Sequence, residues 1–161
     1  MPAVIPYDRE AAVFYARKWA YARNPRYYNF DELGGDCTNF ASQCLYAGCG
    51  VMNFTPTFGW YYIDINQRAP AWTGVEFLSN FLVGNTGAGP FAEEVSASAT
   101  MPGDIIQLAD ESGMLYHTLV AVASRRGRIY VASHSADSYL RRLDSYDAAG
   151  MRFFHILGAR Q

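Results

Sequence analysis

The residue with the clearest chemical potential is Cys37, which follows two glycines and an aspartate in the stretch ELGGDCTNFASQCLYAGCG. This pattern predicts that Cys37 opens a short helix with Asp36 as the N-cap, whose carboxylate accepts from a backbone N–H near Asn39. A thiol at a helix N-terminus ionises more readily than a free thiol, whose pKa is about 8.5. The unpaired first-turn amides are also suited to bind an oxyanion. Cys37 is therefore a candidate nucleophile, and a small buried apolar residue is the alternative interpretation.

The other cysteines, Cys44 and Cys49, do not lie at a helix start, and we interpret both as packing residues. An odd count of three, with no pair at zinc-ligand spacing, indicates neither a disulfide framework nor a cysteine-rich metal site. A disulfide bridge between Cys44 and Cys49 is the alternative. A zinc site built from Cys37 and two histidines would have suitable ligand types but no short-spaced pair.

A nucleophilic cysteine needs a general base, and the chain offers only three histidines, at positions 117, 134 and 155. The segments LYHTLVAVAS and RIYVASHS predict two strands joined by a turn at SRRG. A turn of two or four residues would place His117 directly across from His134 on one sheet face, whereas three residues would place it opposite Ser135. We expect His117 to be the base and His134 to orient it, with Asp137 as the alternative orienting residue.

The segment 49–74 reads as a long irregular loop that is rich in aromatic side chains. Because loops of this length in compact domains are often functional, we expect it to form a substrate-binding wall, with the buried core as the alternative. The residues of this predicted wall are Trp60, Tyr61, Tyr62 and Trp72.

The hydrophobic pattern predicts helices first and strands afterwards. Apolar residues recur at helical spacing over 8–23, 36–47 and 75–84, and they alternate with polar residues over 103–110, 114–124, 128–135 and 151–159. This order indicates the α+β class, with N-terminal helices packed on a C-terminal antiparallel sheet. At 161 residues we expect a single domain over 1–161.

Composition argues against several classes of partner. The net charge is −2 and no basic run exceeds two arginines, so we expect no nucleic-acid partner. We expect no signal peptide and no membrane insertion, because no apolar run reaches the required length. The glycine-rich GNTGAG segment lacks the strand–glycine–helix order of a phosphate-binding loop, and we expect no cofactor or metal.

The motifs GGDCTNFASQC, GWYY, PGDIIQL, YHTLVAV and ASHSAD together resemble the putative amidase domain family, a branch of the papain-like cysteine hydrolases. The resemblance covers about Tyr7 to Ile156, and a looser one extends to NlpC-type and CHAP cell-wall hydrolases. It implies a papain-like fold, a Cys37 nucleophile, a His117 base and a third polar residue at His134. Tyr28 or Tyr27 is the candidate for an additional oxyanion donor.

The function implied by the resemblance is hydrolysis of an amide through a thioester, with a peptidoglycan peptide as the expected substrate. The alternatives are a non-catalytic module of the same fold that binds cell wall or protein, and an acyltransferase that uses the same cysteine. The expected partner is thus a peptide or peptidoglycan-derived substrate.

Overall fold

Helices and a mixed-length antiparallel sheet make up the structure, a computed structural model that describes residues 3–161. In chain order the elements are β1 (Val4–Ile5), α1 (Arg9–Trp19), α2 (Cys37–Cys49), β2 (Tyr62–Asp64), β3 (Gln67–Arg68), α3 (Pro70–Thr73), α4 (Val75–Gly84), β4 (Gly89–Val95), β5 (Ile105–Ala109), β6 (Leu115–Arg125), β7 (Arg128–Ser133), β8 (Ser138–Arg142) and β9 (Gly150–Arg160). The predicted α+β class is confirmed.

The main sheet has seven strands in the order β1-β9-β5-β6-β7-β8, with β4 also paired to β9, and every pairing is antiparallel. Strands β5, β6, β7 and β9 match the four predicted strands. The prediction missed β4, which begins with Gly-Pro, and β8, whose sequence SYLRR lacks an apolar run. The loop predicted at 49–74 holds the small β2–β3 ribbon and α3.

The two faces of the sheet bury separate sets of side chains. Ile105 and Val120 belong to the larger core, which contains the apolar residues of α2, whereas Ile106 and Leu119 belong to a second core on the other face. Since side chains alternate along a strand, residues of β6 with even numbers between 118 and 122 face α2. This parity decides on which face each polar residue of β6 lies.

Helix α2 is buried on all sides through most of its length, as expected for a central helix. The helix runs to Cys49 rather than to Ala47, and Gly50 at φ +69° ends it instead of Gly48. Gly48 is required for close packing, because a Cβ there would lie 2.3 Å from the Tyr7 ring.

Helix α1 begins where the sequence predicts, since the Asp8 side chain accepts from Ala11 N at 3.0 Å. It ends at Trp19 rather than Arg23. Just beyond β7, the side chain of His134 lies 2.8 Å from the carbonyl oxygen of Trp19. Over residues 3–161, none of the helices combines the length and apolar character needed to cross a membrane.

Candidate active site

Cys37 is the first residue of α2, as the sequence predicts, and its side chain is 8 % exposed. Two consecutive glycines lead the chain into the helix, Gly34 at φ +88° and Gly35 at φ +96°. These left-handed conformations suit glycine and turn the chain sharply before Asp36. The thiol therefore lies at the positive end of a buried helix.

The backbone N–H groups of Cys37, Thr38 and Asn39 donate to no protein acceptor in the described part of the chain, and Asp36 makes no side-chain cap. The first intrahelical bond at this end is donated by Phe40 N to Asp36 O at 2.9 Å. Three N–H groups are thus available beside the sulfur, which is the arrangement that stabilises an oxyanion.

Asp36 is the N-cap residue of α2, as the sequence predicts, but its side chain does not make the predicted capping bond. Its Oδ1 accepts from Phe30 N and from Asn39 Nδ2, each at 2.9 Å, and its Oδ2 contacts His134 Nδ1 at 2.5 Å. The carboxylate therefore turns away from the helix amides toward groups from other parts of the chain. Burial would raise the pKa of Asp36, but the hydrogen bonds from His134, Asn39 and Phe30 hold it below its ordinary value.

His134 is buried beside the helix start and uses both of its ring nitrogens. Nδ1 bonds the Asp36 carboxylate, Nε2 bonds the carbonyl of Trp19 at 2.8 Å, and the ring stacks on Phe40 with centroids 4.0 Å apart. Both ring nitrogens of His134 are therefore engaged by Asp36 and Trp19, and neither is free to orient another imidazole.

The predicted pairing of His117 with His134 is not formed. The turn holds two residues, Arg125 pairs with Arg128, and an irregularity between Ala121 and Ala123 leaves Val120 opposite Ala132. Strand β7 also ends at Ser133, so His134 lies in the turn that follows. The predicted register is therefore wrong by one residue, and such a slip reverses the face on which a side chain lies.

His117 shares its parity with Leu119 and pairs with Leu108, and both of these residues belong to the core on the face opposite α2. Its ring lies 6.2 Å from that of Tyr146, which packs on the same core. Burial, and then the charge of Arg141, lower the pKa of His117 below its ordinary value. The structure thus does not bring this ring to the sulfur, although the neighbouring Thr118 does contact α2.

Asp137 does not contact either histidine. Its carboxylate binds Arg23 at 2.9 Å and 3.0 Å, and Arg23 also binds Asp31 and lies 3.6 Å from Asp36. Arg23 therefore ties the turn after β7 to the loop before α2. His155 contacts Asp104 at 2.8 Å, next to Arg9. Within residues 3–161, no group of three or more His, Cys, Asp or Glu residues is arranged to bind a metal.

The prediction of an exposed aromatic wall is wrong for most of its residues, because they are buried in the core. Trp60 and Trp72 have no exposed surface and their rings lie 4.6 Å apart, while Tyr62 is 9 % exposed. Their polar atoms are used internally, since Trp72 Nε1 donates to Asn39 Oδ1 at 2.9 Å and Tyr28 N donates to Tyr62 Oη at 2.8 Å. These buried residues pack against the start of α2 and are not free to stack on a substrate.

Other aromatic residues of that region are more accessible. Tyr61 is half-buried against the exposed Phe54, and Tyr28 is 45 % exposed. Tyr27 stacks on Trp72, and burial raises the pKa of its hydroxyl. No hydrogen bond joins the hydroxyl of Tyr27 or Tyr28 to the helix start among residues 3–161, so their predicted role as oxyanion donors stays a prediction.

Cys44 and Cys49 are free and buried, so the alternative disulfide bridge between them is not formed. Burial raises the pKa of Cys44 well above its ordinary value and that of Cys49 to about 11. Both are therefore poor nucleophiles at neutral pH.

Two clefts lie away from Cys37. One of about 580 Å³ is bordered by α4 and the loop around Phe58, and the other of about 350 Å³ by Tyr116 and Asp110. Neither is lined by the residues of the helix start.

Sequence reasoning missed several polar residues around the thiol. Thr38 Oγ1 lies 3.8 Å from Cys37 Sγ and 2.8 Å from Thr118 Oγ1, which in turn lies 3.2 Å from Gln107 Nε2. Polar residues inside otherwise apolar strands were a usable signal for Gln107 and Thr118. No local pattern distinguishes Arg23 from other surface arginines.

Comparison with known proteins identifies the family to which this chain belongs. A family model described as "Putative amidase domain" matches residues 6–157. The uncharacterized protein YhbB of Bacillus subtilis (strain 168) is 36 % identical over 161 residues, which cover 94 % of this chain and 50 % of YhbB. The chain thus spans about half the length of this curated relative, and no solved structure matches it. Because the family model covers nearly the whole sequence, the chain belongs to the "Putative amidase domain" family.

Proposed function

We propose that this chain hydrolyses an amide bond with Cys37 as the nucleophile. The observation that carries the proposal is the position of Cys37 at the start of buried α2, next to three backbone N–H groups that have no protein partner within residues 3–161. Membership in an amidase family supports the same reaction. The helix on an antiparallel sheet, with a cysteine at its first residue, also supports the narrower assignment to papain-like hydrolases.

In this reaction the thiolate attacks the amide carbonyl carbon, and the resulting oxyanion is held by the amides of the first turn. The C–N bond then breaks, and the amine leaves with the proton that the general base took from the thiol. Water attacks the thioester, the C–S bond breaks, and the acid and the thiol are released. Asp36, with its contacts to His134 and Arg23, holds the entry to the helix in place.

His117 is our proposed base for the proton of Cys37. It is the one histidine whose ring nitrogens have no hydrogen-bond partner in the described part of the chain, and its lowered pKa keeps it neutral at physiological pH. Its neighbour Thr118 touches α2, and β6 carries an irregularity just before His117. The proposal requires this strand end to turn the ring toward α2 when substrate binds, because bulges can re-aim a side chain.

The proposed substrate is a peptide amide, with peptidoglycan peptide as the first to test, and this choice rests on the resemblance to cell-wall hydrolases. The test is incubation of wild-type protein and Cys37→Ala with peptidoglycan-derived peptides, followed by mass spectrometry of released amines. We expect new amines only with the wild type. His117→Ala should reduce turnover by about 10²- to 10⁴-fold, the usual contribution of a general base.

A second candidate is a binding module of the same fold without turnover. It is favoured by the orientation of His117 away from α2 and by the small exposure of Cys37. Binding of the same peptides with equal affinity to wild type and Cys37→Ala, and no release of amine from either, would select this function.

A further inference from the structure

A line of polar groups runs from the Cys37 sulfur into the sheet. It passes through the hydroxyls of Thr38 and Thr118 to the side-chain amide of Gln107, with separations of 3.8, 2.8 and 3.2 Å. Thr38 is 1 % exposed, and Thr118 and Gln107 have no exposed surface. Because bulk water does not reach these groups, they bond to one another.

The amide of Gln107 fixes the direction of this line. Its Nε2 lies 2.7 Å from the carbonyl oxygen of Val75, and only the nitrogen can donate there. The second N–H of Nε2 points to Thr118 Oγ1, which accepts it. The hydroxyl hydrogen of Thr118 is then left for Thr38 Oγ1, and that of Thr38 is left for the sulfur.

This orientation of the Gln107 amide leaves its oxygen unpaired. Gln107 Oε1 is buried without a hydrogen-bond partner in the described part of the chain. An unpaired buried acceptor is unfavourable. The amide is nevertheless held with both of its N–H bonds used for donation, one of them toward the hydroxyl line.

We propose that the Thr38 hydroxyl donates a hydrogen bond to the Cys37 sulfur, and that Thr118 and Gln107 are positioning residues that set its direction. This inference rests on the proposed function, in which the sulfur is the nucleophile. A hydrogen bond to an ionised acceptor is stronger than one to a neutral acceptor, so the donor favours the thiolate over the thiol. Each donor in the line strengthens the next.

The experiment measures the alkylation rate of Cys37 by iodoacetamide against pH, with the modified peptide quantified by mass spectrometry. The variants are Thr118→Val and Thr38→Val, which keep the side-chain shape but remove the hydroxyl, and Thr118→Ser, which keeps the hydroxyl. Thr100→Val is the matched control, because Thr100 is also buried and its hydroxyl donates to Ser96 O, away from the sulfur.

We expect Thr38→Val and Thr118→Val each to raise the pH midpoint of Cys37 alkylation by on the order of one unit. Thr118→Ser and Thr100→Val should keep the wild-type midpoint. Every variant retains the charged groups near the helix start, so these do not contribute to the difference. They are Arg23, Asp31, Asp36, His134 and Asp137.

A wild-type midpoint in folded Thr118→Val and Thr38→Val would overturn the proposal. Loss of structure alone would not imitate the expected result, because Thr118→Ser must restore the midpoint. The measurement does not depend on turnover: the nucleophile assignment fails if amine release survives in Cys37→Ala, whereas the hydroxyl line fails only if the midpoint does not move.

Discussion

Replacement of Asp36 by Asn tests how strongly the helix start depends on the buried carboxylate, which contacts His134 and lies 3.6 Å from Arg23. Asn can keep the bonds from Phe30 N and Asn39 Nδ2 through one oxygen, but it replaces the oxygen that faces His134 Nδ1 with an amide nitrogen. Breaking a buried pair by removing one partner typically costs about 3–5 kcal/mol, because the other charge remains buried. We therefore expect Asp36→Asn to lose roughly 4 kcal/mol of unfolding free energy.

Urea unfolding followed by circular dichroism measures this loss. With a slope of about 2 kcal/mol per M urea, a loss of about 4 kcal/mol moves the midpoint down by roughly 2 M. Asp137→Asn is the matched control, since its carboxylate binds the same Arg23 but is 28 % exposed. Partly exposed pairs contribute about 0–1 kcal/mol, so this midpoint should move little.

The pH dependence of the same experiment has a defined sign. The pKa of Asp36 is lowered in the folded protein, so the unfolded state binds its proton first as the pH falls. The contribution of Asp36 is thus complete above its unfolded pKa of about 3.9 and declines as the pH falls through the lower folded value. The unfolding free energy of Asp36→Asn should therefore lack this part of the decline at acid pH. Equal losses in Asp36→Asn and Asp137→Asn would refute the reasoning.

Three further predictions concern packing, protonation and thiol reactivity. Gly48→Ala should cost about 1–3 kcal/mol in thermal unfolding because its Cβ meets the tyrosine ring described above, while Gly84→Ala, with open space around it, should be near neutral. His117→Gln should flatten the fall in stability below pH ~6.5, because the lowered pKa of His117 lets the unfolded state take up a proton first; an unchanged pH profile would contradict this. In folded protein, iodoacetamide should label Cys37 much faster than Cys49, whose pKa is raised to about 11 by burial, and equal rates would contradict that assignment.

Local sequence signals predicted the parts of the fold that depend on neighbours in the chain. The glycines before Asp36 and the apolar spacing after it located the start of α2 correctly, and the period-two runs located β5, β6, β7 and β9. These features are fixed by turn chemistry and side-chain periodicity over a few residues.

The partners of the site could not be predicted in the same way, since they are set by tertiary contacts. The hairpin turn falls one residue later than predicted and an irregularity between Ala121 and Ala123 shifts the register again, so His117 is not opposite His134. The Asp36 carboxylate binds His134, which lies 98 residues away, instead of its own helix. Composition also does not distinguish a buried aromatic cluster around Trp72 from an exposed binding wall.

The central claim is that Cys37 carries the acyl group during amide hydrolysis. The most direct measurement is the intact mass of the protein after acid quench during turnover of a peptidoglycan-derived peptide, with the modified residue located by fragmentation. We predict an acyl adduct on Cys37 that hydroxylamine removes and that is absent in Cys37→Ala. Turnover without any adduct, or an adduct and amine release that persist in Cys37→Ala, would contradict the claim.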